Sequence, residues 1–239
     1  MIPHQTIPLF GSLWWQSNIA TLISIILILI WGKRNSWKQN RVLSYAIGVV
    51  LLLRYFWAEW YTIDINLWTI QSSLPLQMCG IAAILSGIVP FWRNQTAYEF
   101  LYFWGIPGAL HSVITPEFTI GTEGPLFIEY YISHGGIIIS ALFLTLFLGM
   151  RPRQGSWWKI FLWTQPILLI IGLINYVLDA NYMYLCVPPD VNNPFVIGRF
   201  PLHLIFLELA GILHFFIVYI PFGIKYRKQK IMLEDLHGS

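Results

Sequence analysis

Cys79, His111 and His134 are the residues of this chain best suited to covalent chemistry. A thiolate is a strong nucleophile, but a thiol in apolar surroundings keeps its proton unless a base removes it. Either imidazole could be that base. Glu129 or Glu208 could orient the imidazole, following the nucleophile, base and orienting group of the catalytic triads. Arg54 could hold a phosphate or a carboxylate, because a guanidinium pairs with both. Gln77 and Asn175 complete the polar set. All of these residues lie in apolar company. The stretch LPLQMCG (Leu74–Gly80) opens an apolar run that continues to Trp92, and lipid offers neither Gln77 nor Cys79 a partner.

The elements that must position them are membrane helices. Of 239 residues, 56% are hydrophobic and 10% charged, where soluble domains carry about a quarter. The 12 Trp suit membrane interfaces. An all-α, polytopic membrane helix bundle of one domain follows, multi-pass in the cell membrane. Spans need about 20 apolar residues. Seven are expected: Leu13–Trp31, Val42–Tyr61, Leu74–Trp92, Ala97–Thr115, Leu126–Leu148, Trp158–Leu178 and Phe200–Phe222, with a basic tail beyond. Breakers such as Pro116, Gly121, Gly124, Pro125, Pro152, Gly155 and the run from Pro188 to Pro194 occupy the connections. The N-terminus has no Lys or Arg ahead of its first apolar run, which argues against a cleaved signal peptide.

Basic residues set the orientation. With seven spans, Lys33, Arg34, Lys38, Arg41, Arg93, Arg151, Arg153, Lys159, Lys225, Arg227, Lys228 and Lys230 share one side. Arg199 lies opposite and Arg54 inside a span. The positive-inside rule then places the N-terminus outside and the C-terminus in the cytoplasm. Outer loops carry Asp64, Glu117, Glu123, Asp179 and Asp190. The net charge of +3 thus follows topology, and no nucleic-acid partner is expected.

Depth at 1.5 Å per residue places the polar groups in one slab. Below the outer ends of their spans, Cys79 lies about 7 Å, His111 about 6 Å, Glu129 about 5 Å, His134 about 12 Å, Glu208 about 12 Å and Arg54 about 10 Å. An ionisable side chain at mid-membrane costs about 2.5–3.5 kcal/mol, so these groups are expected to face inward, pair, or line a polar pocket open to the outer leaflet. Helix glue is the simpler alternative: Arg54 with Glu208 or Glu129, and Asn175 across an interface.

From LPLQMCG onward the chain resembles the YwaF-like bacterial integral membrane proteins, related to the eukaryotic transmembrane protein 164 acyltransferases. The likeness continues in AYEFLYFWGIPGALHSVITPEF (97–118), ISHGGIIISALFL (132–144), RPRQGSWWKIFLWT (151–164) and INYVLDANYMYL (174–185). The resemblance implies a membrane acyltransferase that moves fatty acyl chains between phospholipids through a cysteine matching Cys79, with the histidine of the HGG block matching His134. Membrane lipids, as phospholipid or acyl substrate, are the implied partners. Two positions depart from the family. Gln77 replaces a histidine two residues before the cysteine, and His111 replaces a glutamine. A direct contact between these two positions would make the pair swapped rather than lost.

Rival classes remain on the sequence. A zinc-dependent intramembrane hydrolase could draw ligands from His111, His134 and His203, although no span carries two histidines at i, i+4. A transporter or receptor is compatible with Pro107 and Pro166 inside spans, but no lysine lies within a span core to form a rhodopsin-type Schiff base. A structural protein is the remaining class. No cofactor and no metal are expected. Two cysteines are too few for a disulfide framework, and a Cys79–Cys186 bridge would remove the nucleophile.

Overall fold

The computed structural model describes residues 5–118, 123–189 and 195–237. Gly121, Asp190 and Pro194, named above among loop residues, lie outside them. The chain is all-α apart from two residues of β1 (Gln5–Thr6) paired antiparallel with β2 (Glu117–Phe118). The helices are α1 (Ser12–Arg34), α2 (Trp37–Asp64), α3 (Met78–Ile88), α4 (Gln95–Phe100), α5 (Ile106–Ile114), α6 (Pro125–Phe147), α7 (Ser156–Leu178) and α8 (Leu202–His237). Among the described residues, α1, α2, α6, α7 and the Leu202–Gln229 part of α8 are long and apolar enough to cross a membrane.

The two remaining expected spans take less regular forms. α4 runs through a π-helical turn, Leu101–Gly105, into α5, with right-handed helical backbone at each join. The result is one rod of roughly 20 residues and about 30 Å. Pro107 cannot donate to the carbonyl of Phe103 four residues back, and the wider turn sits where that bond is lost. α3 starts only at Met78, four residues later than the apolar run predicts. Pro75 lies in the lost turn, and Leu74 instead donates its N–H to the Tyr182 hydroxyl at 3.0 Å. Helix-type bonds then carry on past Ile88 to Trp92.

α6 is the central rod: 61% of its apolar stretch is buried, against 11% for α1, 17% for α2, 22% for α7 and 11% for α8. Small residues let its neighbours come close. Gly32 of α1 lies against Phe143 and Phe147, and Gly135 lies against Thr21, so α1 runs parallel to α6. Gly136 faces Leu51 while Glu129 pairs with Arg54, and Gly105 faces Ile137 while Ser112 meets Tyr130, so α2 and the α4–α5 rod run antiparallel to it. The basic end is tied by side chains. Buried Glu99 accepts from Arg153 N, Nε and Nη2 at 2.8, 3.0 and 2.7 Å. Tyr226 donates its hydroxyl to the Pro152 carbonyl, and Gly155 its N–H to the Tyr219 hydroxyl. At the other end Trp14 Nε1 donates to the Ile114 carbonyl at 2.7 Å.

The α2–α3 crossing depends on Gly48, where an added Cβ would lie 2.7 Å from the Gly87 carbonyl oxygen, a backbone atom that cannot swing away. Gly48→Ala should destabilise the fold by about 1–3 kcal/mol, read as a lower thermal midpoint in detergent. Gly211→Ala, with open space around it, should leave the midpoint unchanged or raise it; equal effects would contradict this packing.

Candidate functional site

Because α3 starts late, Cys79 is its second residue rather than a residue of a second turn. The first amides of a helix have no intrahelical partner and carry partial positive charge. Cys79 Sγ lies 3.6 Å from Ser112 Oγ of α5. One turn earlier on the same face, Gly108 leaves room for the sulfur: a Cβ there would sit 3.2 Å from Sγ. Both cysteines are free thiols; Cys186 is exposed and Cys79 partly buried.

Tyr130 of α6 links this sulfur site to His134. Its hydroxyl donates to the Ser112 carbonyl at 2.9 Å, and its ring centroid lies 4.2 Å from that of His134. His134 Nδ1 lies 2.7 Å from the Tyr130 carbonyl oxygen. A carbonyl only accepts, so Nδ1 carries the proton and Nε2 presents a lone pair.

A short loop is tied down beside the start of α3. Gln77 Oε1 accepts from Met183 N at 2.7 Å. Asn175 binds both backbone groups of Tyr182, accepting from N at 2.8 Å and donating to O at 2.9 Å. Fully buried His203 donates from Nε2 to the Tyr184 carbonyl at 2.9 Å. These anchors hold Met183 and Tyr184 at φ of 55° and 54°, a left-handed conformation that costs non-glycine residues about 1–3 kcal/mol each. The Tyr184 hydroxyl donates to Glu117 Oε2 at 2.9 Å. Burial, then the Glu117 charge, push its phenol well above the usual range, so it stays a donor.

The other expected residues form separate sets. His111 Nε2 lies 2.9 Å from His214 Nε2. His214 Nδ1 is spent on the Ala210 carbonyl at 2.6 Å, so in the neutral pair His111 donates from Nε2 and keeps a lone pair on Nδ1. Phe195 packs edge-on to both rings. Arg54 pairs with Glu129 rather than Glu208. Glu208 accepts from Gln165 Nε2 at 3.0 Å and lines a groove of about 340 Å³ between α7 and α8, with Phe161, Leu204 and Leu209. The structure thus connects Cys79 and His134 only indirectly: the sulfur meets Ser112, the Ser112 carbonyl takes the Tyr130 hydroxyl, and the Tyr130 ring lies against His134. His111 and Gln77 go to His214 and Met183, with no hydrogen bond between them among the described residues. His111, His134 and His203 take three different partners, and no three His, Cys, Asp or Glu among the described residues converge as a metal set would.

The sequence does not single out Ser112, Tyr130 or Tyr184, and marks Glu117 only as an outer-loop acid. Two of them were within reach: Gly108 with Ser112, and Tyr130 with His134, are i, i+4 pairs that must share a helix face.

A family model, that of the TMEM164 family, matches residues 9–219. The chain belongs to the TMEM164 family. The match spans α1 through the first half of α8, including Cys79, Ser112, Tyr130, His134 and the Tyr182–Tyr184 loop. No curated protein and no solved structure matches the chain. Membership in the TMEM164 family and the five long apolar helices agree on a membrane protein.

The loop makes thiol reactivity a probe of the site. Maleimide should label exposed Cys186 quickly and Cys79 slowly, as read by peptide mass. Asn175→Ala removes two buried hydrogen bonds worth about 1–3 kcal/mol, so Cys79 labelling should speed up about ten-fold or more. Equal rates for both cysteines would contradict the loop's role.

Proposed function

We propose that the chain is a membrane acyltransferase in which Cys79 takes an acyl group from a phospholipid ester and passes it to a second lipid. The observation that carries this reading is the setting of Cys79 in the first turn of α3, against Ser112 and with Tyr130 joining it to His134. The sulfur attacks the ester carbonyl, the C–O bond breaks, and the leaving lipid alcohol takes up the proton. The acceptor hydroxyl then attacks the thioester, the C–S bond breaks, and the thiol recovers its proton. His134, whose Nε2 carries the lone pair, is the base nearest in this network. The unpaired first-turn amides of α3 would supply hydrogen bonds to the oxyanion. His111, held by His214, is the second candidate base.

Seven spans, with the N-terminus outside and the chain in the cell membrane, belong to the same proposal. The parallel α1–α6 packing and the antiparallel α2–α6 and α5–α6 packing support alternating crossings. The shared end of Arg151, Arg153, Glu99 and the Tyr226 region supports one basic face.

The test is acyl exchange in liposomes containing the purified protein, followed by lipid mass spectrometry. Cys79→Ser should reduce exchange to background, and His134→Gln should lower it by about 10²–10⁴. Exchange unchanged in both variants would overturn the reading.

A further inference from the structure

In a helix packed among apolar neighbours, a serine or threonine hydroxyl usually turns back to a carbonyl three or four residues earlier in its own helix. Thr21, Ser24, Ser44, Thr145 and Thr164 all do so here. Ser112 does not. Among the described residues its Oγ meets Cys79 Sγ of α3 at 3.6 Å and no carbonyl of α5. Its own carbonyl accepts the Tyr130 hydroxyl at 2.9 Å.

The sulfur is seated for that contact. α3 begins at Met78, so no turn of α3 precedes Cys79 to offer the thiol a carbonyl. Gly108 and Ser112 share one face of α5. A Cβ at Gly108 would lie 3.2 Å from Sγ and 3.7 Å from Met78 Sδ, so a larger residue there would crowd the sulfur. The missing side chain at one position and the hydroxyl at the other form the seat together.

A thiolate in apolar surroundings needs a donor or a cation to hold its charge. Among the described residues no cationic side chain acts on Cys79. Arg54 of α2 acts on Glu129 and His134, and His214 of α8 acts on His111. The titratable groups whose charge acts with that of the sulfur are the phenols of Tyr130 on α6 and Tyr184 in the loop. Their hydroxyls are given to the Ser112 carbonyl and to Glu117. Among the described residues, Ser112 Oγ is the side-chain donor in contact with the sulfur.

We propose that Ser112 is a further catalytic residue, whose hydroxyl donates to the Cys79 thiolate. When the thiol proton leaves to the base, Ser112 keeps its own proton and turns it toward the sulfur. The bond is charge-assisted only while the sulfur is anionic. It forms before attack on the ester, is lost in the thioester, and forms again as the thiolate leaves. This role rests on the acyltransferase reading for its two half-reactions, but the contact itself is measurable without acyl transfer.

The test is the pH dependence of Cys79 alkylation by iodoacetamide in the full chain in detergent. Cys186→Ser leaves one reacting thiol, and the product is read by peptide mass. The plateau rate at high pH reports access and the midpoint reports the thiolate, so a merely structural change moves the plateau alone. Ser112→Ala should raise the midpoint by about one pH unit or more, because a donor to the charged form is lost. Ser112→Thr retains the hydroxyl and should keep the parent midpoint. Acyl exchange in liposomes at neutral pH should fall about ten-fold in Ser112→Ala and return in Ser112→Thr. A Ser112→Ala midpoint equal to the parent's, or a Ser112→Thr midpoint raised as far as that of Ser112→Ala, overturns the assignment whatever exchange shows. The expected midpoints with no exchange in the parent would uphold the hydroxyl–thiolate bond and remove the acyltransferase reading.

Discussion

A polar side chain held between apolar helices must find its partner within the protein, because lipid supplies none. Most of the contacts that shape this bundle answer that constraint. Glu99 collects three donors from Arg153. Trp104 Nε1 donates to Thr164, Tyr98 meets Thr145, and Ser140 reaches the carbonyl of Ser86. The last three of these bonds each join two rods, so the pairing of polar groups also sets which helices touch and at what height. Glycine handles the remainder of the packing, letting α2 meet α3 at Gly48 and Gly87, and α6 at Gly136. α6 sits at the middle because it carries both kinds of contact.

The same constraint explains the loop above Cys79. Backbone at the margin of an apolar bundle needs its N–H and C=O groups bound. Gln77, Asn175 and His203 bind those of Tyr182, Met183 and Tyr184, drawing the chain into two successive left-handed residues. These three polar residues, which belong to three separate segments of the sequence, therefore act on one short loop. Gln77, which the sequence alone sets beside a nucleophile, serves that loop. With the loop so held, the Tyr184 hydroxyl reaches Glu117.

Much of the architecture was legible in the sequence. The long apolar runs predict α1, α2, α6, α7 and α8, and depth counting places Cys79, Glu129 and Arg54 toward the same end of the bundle. Length alone could not reveal that Leu74–Gln77 stays out of the helix: besides Pro75, the turn is tied to a distant hydroxyl, that of Tyr182. Nor could depth show azimuth. His111 and Cys79 lie at similar height, yet His111 turns to His214 on α8 while its neighbour Ser112 turns to the sulfur. Arg54 had two plausible carboxylates by depth, and only the packing of α2 on α6 selects Glu129 over Glu208. The partners that matter most to the proposed chemistry, Ser112 and Tyr130, are ordinary residues in apolar helices, and their i, i+4 relation to Gly108 and His134 is the one local sign of them.

The central claim is that Cys79 is a nucleophile and not an inert core thiol. It is tested most directly by trapping the proposed intermediate: the protein is incubated briefly with a phospholipid bearing an isotope-labelled acyl chain, quenched in acid and analysed by intact and peptide mass. The account predicts one acyl chain per protein, on the peptide containing Cys79 and released by neutral hydroxylamine as a thioester must be. A label absent from that peptide, or found on Cys186 instead, would contradict it.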